Sequence, residues 1–385
     1  MATDPTDGVD KGATEIDDQP FIKASSEARR LYGRFNLAIV GGTGVGKSSL
    51  VNAVFGRDRA KVGKGLPVTK GVNYYHDPSL GIWDFEGFEI GSTSPAETIR
   101  SGLETISQRP DDEQIAVVWY CVLASADRLT QTDIDLIREL DAAGLPVTLV
   151  MTKVPWEKNP VTGKFKAPKD AEEFRKWLED PEDANGSPIE LPLRRVILTA
   201  AQGRGAGQGL GDLVAETLAL SPEDEKDSFR IAQRLNLPMK RQLARPVIAS
   251  AASLATAAAA VPIPVADAAA LAPIQMTMMG RVAAIYDLEL KAMVSAPALA
   301  QLGVQIAGKA LARSFIKLIP GAGSVINATV AAALTAATGE AWLRLCEQVY
   351  LGKVDLAQID DVWRDYSPTF TTVITQLIQR QTVKA

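Results

Sequence analysis

Eight consecutive residues, Gly41-Gly42-Thr43-Gly44-Val45-Gly46-Lys47-Ser48, satisfy G-x-x-x-x-G-K-[ST] without a mismatch, and no other stretch constrains the chain as much. Glycines remove Cβ atoms, so successive backbone N–H groups can close around an anion. Lys47 supplies a mobile positive charge for the β and γ oxygens of a nucleoside triphosphate, and the Ser48 hydroxyl can ligate a bridging Mg²⁺. The candidate phosphate-contacting set therefore runs from Gly41 through Ser48 to Ser49. Its surroundings agree. Asn36 to Val40 reads as a buried strand, and Lys47 to Phe55 reads as a helix whose N-terminus adds its dipole to the site.

At 385 residues the chain exceeds one typical core, which favours two domains. A net charge of -5 gives no general attraction to nucleic acid, so no nucleic-acid partner is expected. The two cysteines, Cys121 and Cys346, fall in a predicted strand and a predicted helix, as buried thiols of a reducing cytoplasm would. Asp4, Asp7, Asp10, Glu15, Asp17 and Asp18 occupy the region where a secretory signal carries positive charge. Residues 1–20 read instead as a disordered acidic tail.

From Phe21 to Leu220 apolar runs alternate with helix-periodic stretches, which predicts an α/β domain, doubly wound around a mostly parallel sheet, over 21–220. Candidate strands are Gly71 to His76, Leu80 to Asp84, Ile115 to Leu123, Pro146 to Met151 and Arg195 to Leu198. Candidate helices are Pro95 to Gln108 and Thr130 to Ala143. Ser221-Pro222-Glu223-Asp224 carries a helix-start pattern, and the domain boundary is placed there. Residues 221–385 read as an all-α, alanine-rich hydrophobic domain.

Further nucleotide-site elements follow in order. Pro67-Val68-Thr69 lies in a Gly- and Lys-rich loop suited to a first switch segment, with Thr69 as a second Mg²⁺ ligand. Asp84-Phe85-Glu86-Gly87 fits D-x-x-G at a strand end, where Asp84 would reach the Mg²⁺ shell through water and the Gly87 N–H the γ-phosphate. The catalytic candidates are thus Lys47, Thr69 and Gly87, and the metal candidates Ser48, Thr69 and Asp84. Thr152-Lys153 occupies the place of [NT]-K-x-D, whose Asp would accept from guanine N1 and N2, but Pro155 stands at the acidic position. Thr199-Ala200-Ala201 lies where a backbone N–H would reach guanine O6. Phe88 follows D-x-x-G where many such proteins carry a water-orienting Gln, so slow turnover is expected. Glu86, Glu89, a switch-loop residue, or a partner chain such as a second copy or an activating protein would supply the missing group.

These motifs resemble the Era-like (TRAFAC class) small GTPases of bacteria. Val261 to Asp267, Ile274-Gln275 and Ala312 to Ala328 resemble the YcjF-like hydrophobic domain of unknown function that follows such G domains. The resemblance implies GTP and GDP as ligands, Mg²⁺ as cofactor and membrane association.

Between Arg245 and Arg281 the one formal charge is Asp267, and from Leu318 to Gly339 there is none, so both stretches approach a membrane-spanning length of about 20 residues. Their length rests on alanine, which contributes little to insertion. Spanning, peripheral or switched association, and a soluble bundle all stay open for residues 246–340. Lys309, Arg313 and Lys317 form a stripe opposite Val304, Ala307, Leu311, Phe315 and Leu318 that can meet anionic lipid headgroups. The expected protein is a GTP-binding switch at the inner face of the cell membrane, with its G domain in the cytoplasm. A nucleotide-dependent ribosome or RNA-associated factor and a P-loop ATPase are the alternatives.

Overall fold

The computed structural model describes residues 19–56, 66–69, 71–85, 95–126, 128–259, 267–288 and 324–353. It divides into two compact units, one of Arg29–Lys240 and one of Met1–Ala28 with Arg241–Ala385.

The first unit is built on a seven-stranded sheet of order β2-β3-β4-β1-β5-β6-β9. The strands are β1 Phe35–Val40, β2 Leu66–Thr69, β3 Val72–His76, β4 Leu80–Phe85, β5 Val117–Leu123, β6 Val147–Thr152 and β9 Arg195–Leu198. β7 Glu157–Lys158 and β8 Phe165–Lys166 form a separate small hairpin. Pairing is parallel from β4 through β1, β5 and β6 to β9, and antiparallel at β2–β3 and β3–β4. Both faces of the sheet are covered, so the central strands are continuous apolar runs. Side chains alternate: Phe35, Leu37 and Ile39 enter one core with Trp119 and Cys121, while Ala38 and Val40 enter the other with Val118 and Tyr120. β1 pairs with β4 on one side and β5 on the other, so the chain leaving Val40 emerges where the strand order reverses. Open α/β sheets place their ligand crevice at such a point.

Helix α2, Lys47–Phe55, buries Leu50, Val51, Val54 and Phe55. α3 Pro95–Ser107 and α4 Gln131–Ala142 lie where the periodicity predicts them. Thr130 begins α4 with a reciprocal capping box, its side chain accepting from the Asp133 N–H while Asp133 accepts from the Thr130 N–H. α5 Lys169–Glu179 and α6 Leu210–Leu220 complete the alternation.

The structure corrects several sequence expectations. Pro67-Val68-Thr69 is not loop but lies in β2, where β-branched Val68 and Thr69 favour extended backbone and an edge position tolerates Pro67. Ser221 does not begin a helix: it is the C-cap of α6 and its hydroxyl donates to the Thr217 carbonyl (2.6 Å). The following helix, α7 Lys226–Ala232, has Glu225 at its N-cap and packs Phe229 against Phe35 and Phe55 in the first unit. The division between the compact units falls at Lys240/Arg241. Pro238 is the second residue of α8 Leu237–Ala259, a position a helix accepts. Gln19 and Pro20, assigned to the acidic tail, begin α1 Gln19–Tyr32; residues 1–18 lie outside the described residues.

The described residues of the second unit are helical. α8 turns Ala244, Ile248, Ala251 and Ala255 inward at helical spacing. The charge-poor stretch is two helices, α8 ending at Ala259 and α9 Asp267–Ile285. α10 Ser324–Tyr350 packs on α9: the Trp342 indole donates to the Met279 carbonyl (2.9 Å), and buried Gln275 donates to Thr335 (3.3 Å). Phe21 of α1 meets Trp342 edge to face, which puts the start of α1 with these helices although the sequence pattern assigned Phe21 to the α/β domain. Buried Glu347 accepts two hydrogen bonds from Arg241 (2.5 and 2.7 Å) and one from the Tyr286 hydroxyl (2.9 Å). Among the described residues no helix is long and apolar enough to cross a membrane. The basic stripe at 309–317 lies outside the described residues.

Candidate nucleotide-binding site

The loop Gly41–Gly46 joins β1 to α2 at the switch point of the sheet. Gly41 has φ +141°, and an added Cβ would sit 2.3 Å from the Cys121 carbonyl oxygen, so only glycine lets the chain turn this close to β5. The first N–H groups of α2 have no intrahelical acceptor and, with the helix dipole, face the loop's concavity. Lys47 Nζ is held by the Gly41 carbonyl (2.8 Å) and lies 3.9 Å from Asp84 Oδ1. In the same crevice Lys47, Ser48 and Asp84 line a small cavity of about 20 Å³. Asp84 comes from the C-terminal end of β4, the strand beside β1, and this register brings it to the P-loop.

A hydroxyl and a carboxylate are hard oxygen donors of the kind Mg²⁺ accepts, and Mg²⁺ keeps several waters, so two protein ligands beside a phosphate-binding loop fit it. The structure thus brings together Lys47, Ser48 and Asp84. Thr69 ends β2, opposite Val72 of β3. Gly87, Glu86, Phe88 and Glu89 lie outside the described residues, as do Lys61, Lys64 and Lys70.

A larger cavity of about 380 Å³ adjoins the loop, lined by Ser49, Thr152, Lys153, Pro155, Gln202 and Arg204 among others. Thr152 Oγ1 lies 2.5 Å from the Val45 carbonyl and 3.0 Å from that of Val122, tying the end of β6 to the P-loop. Lys153 takes the left-handed conformation (φ +55°), which is uncommon for a side-chain-bearing residue, and its Nζ donates to the Gly44 carbonyl (2.7 Å). Its stem runs beside Gly46, along one wall of the cavity.

The Thr199-Ala200-Ala201 segment is only partly as expected. The Thr199 N–H donates to Met151 (2.7 Å) and the Ala200 N–H to Gln208 (3.1 Å), because the chain here folds back on itself toward Gly209. Neither is free to meet a base. Ala201 lines the cavity, and its N–H has no backbone acceptor among the described residues. Gln202 and Arg204 were not recognised from the sequence, since no motif spacing marks them; a Gly-rich run, Gly203 to Gly209, was the available signal.

Cys121 is buried behind the P-loop and its thiol is pushed up to about 12 by burial, so it acts as a small core residue. Cys346 is likewise buried, with its thiol raised by burial. His76 ends β3 stacked on Tyr74 (5.2 Å), a structural contact.

Residues 36–153 match the model of the 50S ribosome-binding GTPase family, and residues 224–380 match a domain of unknown function, DUF697. The chain is similar to "Probable GTP-binding protein EngB" of Mycoplasmopsis agalactiae, 30% identical over 114 residues, which is 30% of this chain and 58% of that protein. It is also similar to "GTPase Der" of Bifidobacterium longum, 34% identical over 119 residues, covering 31% of this chain and 25% of that protein. The chain thus spans less than two thirds of the length of either relative. A crystal structure of a probable GTP-binding protein engB aligns at 17% identity and TM-score 0.32, over 48% of this chain and 97% of the other. With the sheet and loop already described, the two family matches show a P-loop GTPase fold with a mostly parallel sheet, followed by a helical region that matches DUF697.

Proposed function

We propose that this protein is a GTP-binding, slowly GTP-hydrolysing switch whose G domain controls a membrane-associated helical domain. The observation that carries the reading is the joint placement of Lys47, Ser48 and Asp84 in one crevice, next to a cavity of a volume suited to a nucleoside. Gly41 to Gly46 and the first turn of α2 hold the phosphates with backbone N–H groups, and Lys47 leaves the Gly41 carbonyl for the β and γ oxygens. Ser48 and Asp84 would hold Mg²⁺, with Thr69 as the third candidate ligand, and the ion would supply neutralisation of phosphate charge. The Gly87 N–H contacts the γ-phosphate. Phe88 can neither accept nor donate a hydrogen bond to an attacking water, so turnover is slow until another group, from this chain, a second copy or an activating protein, orients it.

The helical unit is the proposed effector. Its alanine-rich, charge-poor residues 246–340 associate with the inner face of the cell membrane, and the exposed Leu254 on α8 supports this use of the surface. Nucleotide state shifts that association only if the two states differ in affinity for it. Liposome flotation of the full chain with a GTP analogue or GDP tests the reading: partitioning that differs between the two is expected, and identical partitioning refutes nucleotide control. A P-loop ATPase is the second reading, favoured by Pro155 in the cavity wall, and direct competition between GTP and ATP separates the two.

A further inference from the structure

A base pocket that selects guanine through a carboxylate needs an acceptor opposite N1–H and the 2-amino group. The 380 Å³ cavity has no Asp or Glu in its lining, and Pro155 stands in its wall. Glu157, the nearest acid downstream, is exposed in the β7–β8 hairpin. The acceptor that normally reads the 2-amino group is therefore missing from the pocket among the described residues.

What the pocket offers instead is donors. Arg204 and Gln202 both line it, and neither side chain has a hydrogen-bond or ion-pair partner among the described residues. The turn that carries them is fixed at its far end, because a Cβ at Gly209 would fall 1.8 Å from the Leu198 carbonyl oxygen. Its near end is tied by the Ala200 N–H to Gln208 and the Gly207 N–H to Ala200. Ala201 adds a backbone donor in the same wall. A guanidinium pairs with two acceptors in a plane, as O6 and N7 of a 6-oxopurine present them, whereas adenine places an amino donor at position 6. A Gln amide can donate and accept side by side, and so can serve an N1–H edge without requiring a 2-amino group.

Resting on the GTP-binding reading above, we infer that Arg204, aided by Gln202, is the specificity-determining residue of this pocket. It selects 6-oxopurine nucleotides over adenine nucleotides by their O6/N7 edge and leaves the 2-amino group unread. GTP and ITP are then equivalent ligands, and ATP is excluded by Arg204 rather than by a carboxylate.

The test is competition of GTP, ITP and ATP against a fluorescent nucleotide on the full chain, its Arg204→Ala and Gln202→Ala variants, and Lys47→Ala as a control. ITP is expected to bind within about twofold of GTP, and ATP about tenfold or more weaker. Arg204→Ala is expected to bring the GTP-to-ATP ratio to within about twofold while Arg204→Lys restores part of it. Because Arg204 is exposed, an unchanged thermal midpoint shows that its loss leaves the fold intact. Discrimination of about tenfold against ITP, or a GTP-to-ATP ratio unmoved by Arg204→Ala, overturns the inference while leaving triphosphate binding standing. Binding of all three with equal affinity in the parent does the same. Absence of binding by any of them, or binding that survives Lys47→Ala, refutes the nucleotide reading itself and this one with it.

Discussion

Replacing Gly41 by alanine is expected to destabilise the first unit several-fold more than replacing Gly44, although both are glycines of one loop with positive φ. At Gly44 (φ +75°) an added Cβ meets nothing within 4 Å, so the cost is that of a left-handed residue, about 1 kcal/mol. At Gly41 (φ +141°) the backbone is in a region side chains rarely adopt, worth about 1–3 kcal/mol. The Cβ there would also lie 2.3 Å from the Cys121 carbonyl oxygen and 3.2 Å from its carbon. That carbonyl belongs to β5, which is paired with β1 on one side and β6 on the other, so it cannot retreat without disturbing the sheet, at a further cost of about 1–3 kcal/mol. The sum is about 4 kcal/mol against about 1 kcal/mol. For a unit as long as Arg29–Lys240 this corresponds to a loss of about 8–16 °C in its unfolding midpoint for Gly41→Ala and about 2–4 °C for Gly44→Ala. Thermal unfolding followed by circular dichroism measures both, and midpoints within 2 °C of each other would refute the close-approach argument (a margin of about half a kcal/mol).

Other expectations are independent of this one. Lys47→Ala abolishes triphosphate binding, because no neighbouring residue replaces its charge-assisted contacts; fluorescent nucleotide titration with affinity retained within about twofold contradicts the P-loop role. Pro155→Asp places an acceptor in the cavity wall and sharpens the preference for GTP over ATP by about 1–3 kcal/mol where the backbone accommodates it, read by competition binding. In the helical unit, Glu347→Ala removes the acceptor shared by Arg241 and buried Tyr286; because Arg241 is partly exposed and can turn to water, the cost is about 1–3 kcal/mol in a urea melt, against about 1 kcal/mol for Tyr286→Phe. Burial pushes the Glu225 carboxyl up to about 7, so the folded state holds a proton that the unfolded chain releases near its ordinary pKa of 4.5. Stability from this group is complete below about pH 4.5 and falls as pH rises toward 7, and Glu225→Gln removes that part of the slope in urea midpoints compared across this window.

The P-loop, its strand and its helix were legible in the sequence because local chemistry dictates them. Glycine at fixed spacing, an apolar run and a helix start need no distant partner to be recognised, and α2 spans Lys47–Phe55 as the pattern predicts. Asp84 was legible for the same reason, at a strand end. The alternation of strands and helices over the first unit likewise followed from period and composition. What the tertiary structure alone decided is which backbone and side-chain groups are already engaged. Thr199 and Ala200 carry N–H groups at the expected position, yet contacts with Met151 and Gln208, the former 48 residues away in sequence, consume them. Ser221 to Asp224, ahead of α7, carries a start signal that suggested a new domain, but Phe229 of α7 is claimed by the core around Phe35 and Phe55, whose identity depends on long-range packing. Gln202 and Arg204 come into the cavity beside the P-loop because Gly209 lets the chain close against Leu198, a contact between a turn and a strand that leaves no periodic trace. Local propensity and short motifs are written along the chain, whereas the assignment of each donor, acceptor and apolar face to a partner depends on residues far apart in sequence, and so waits for the fold.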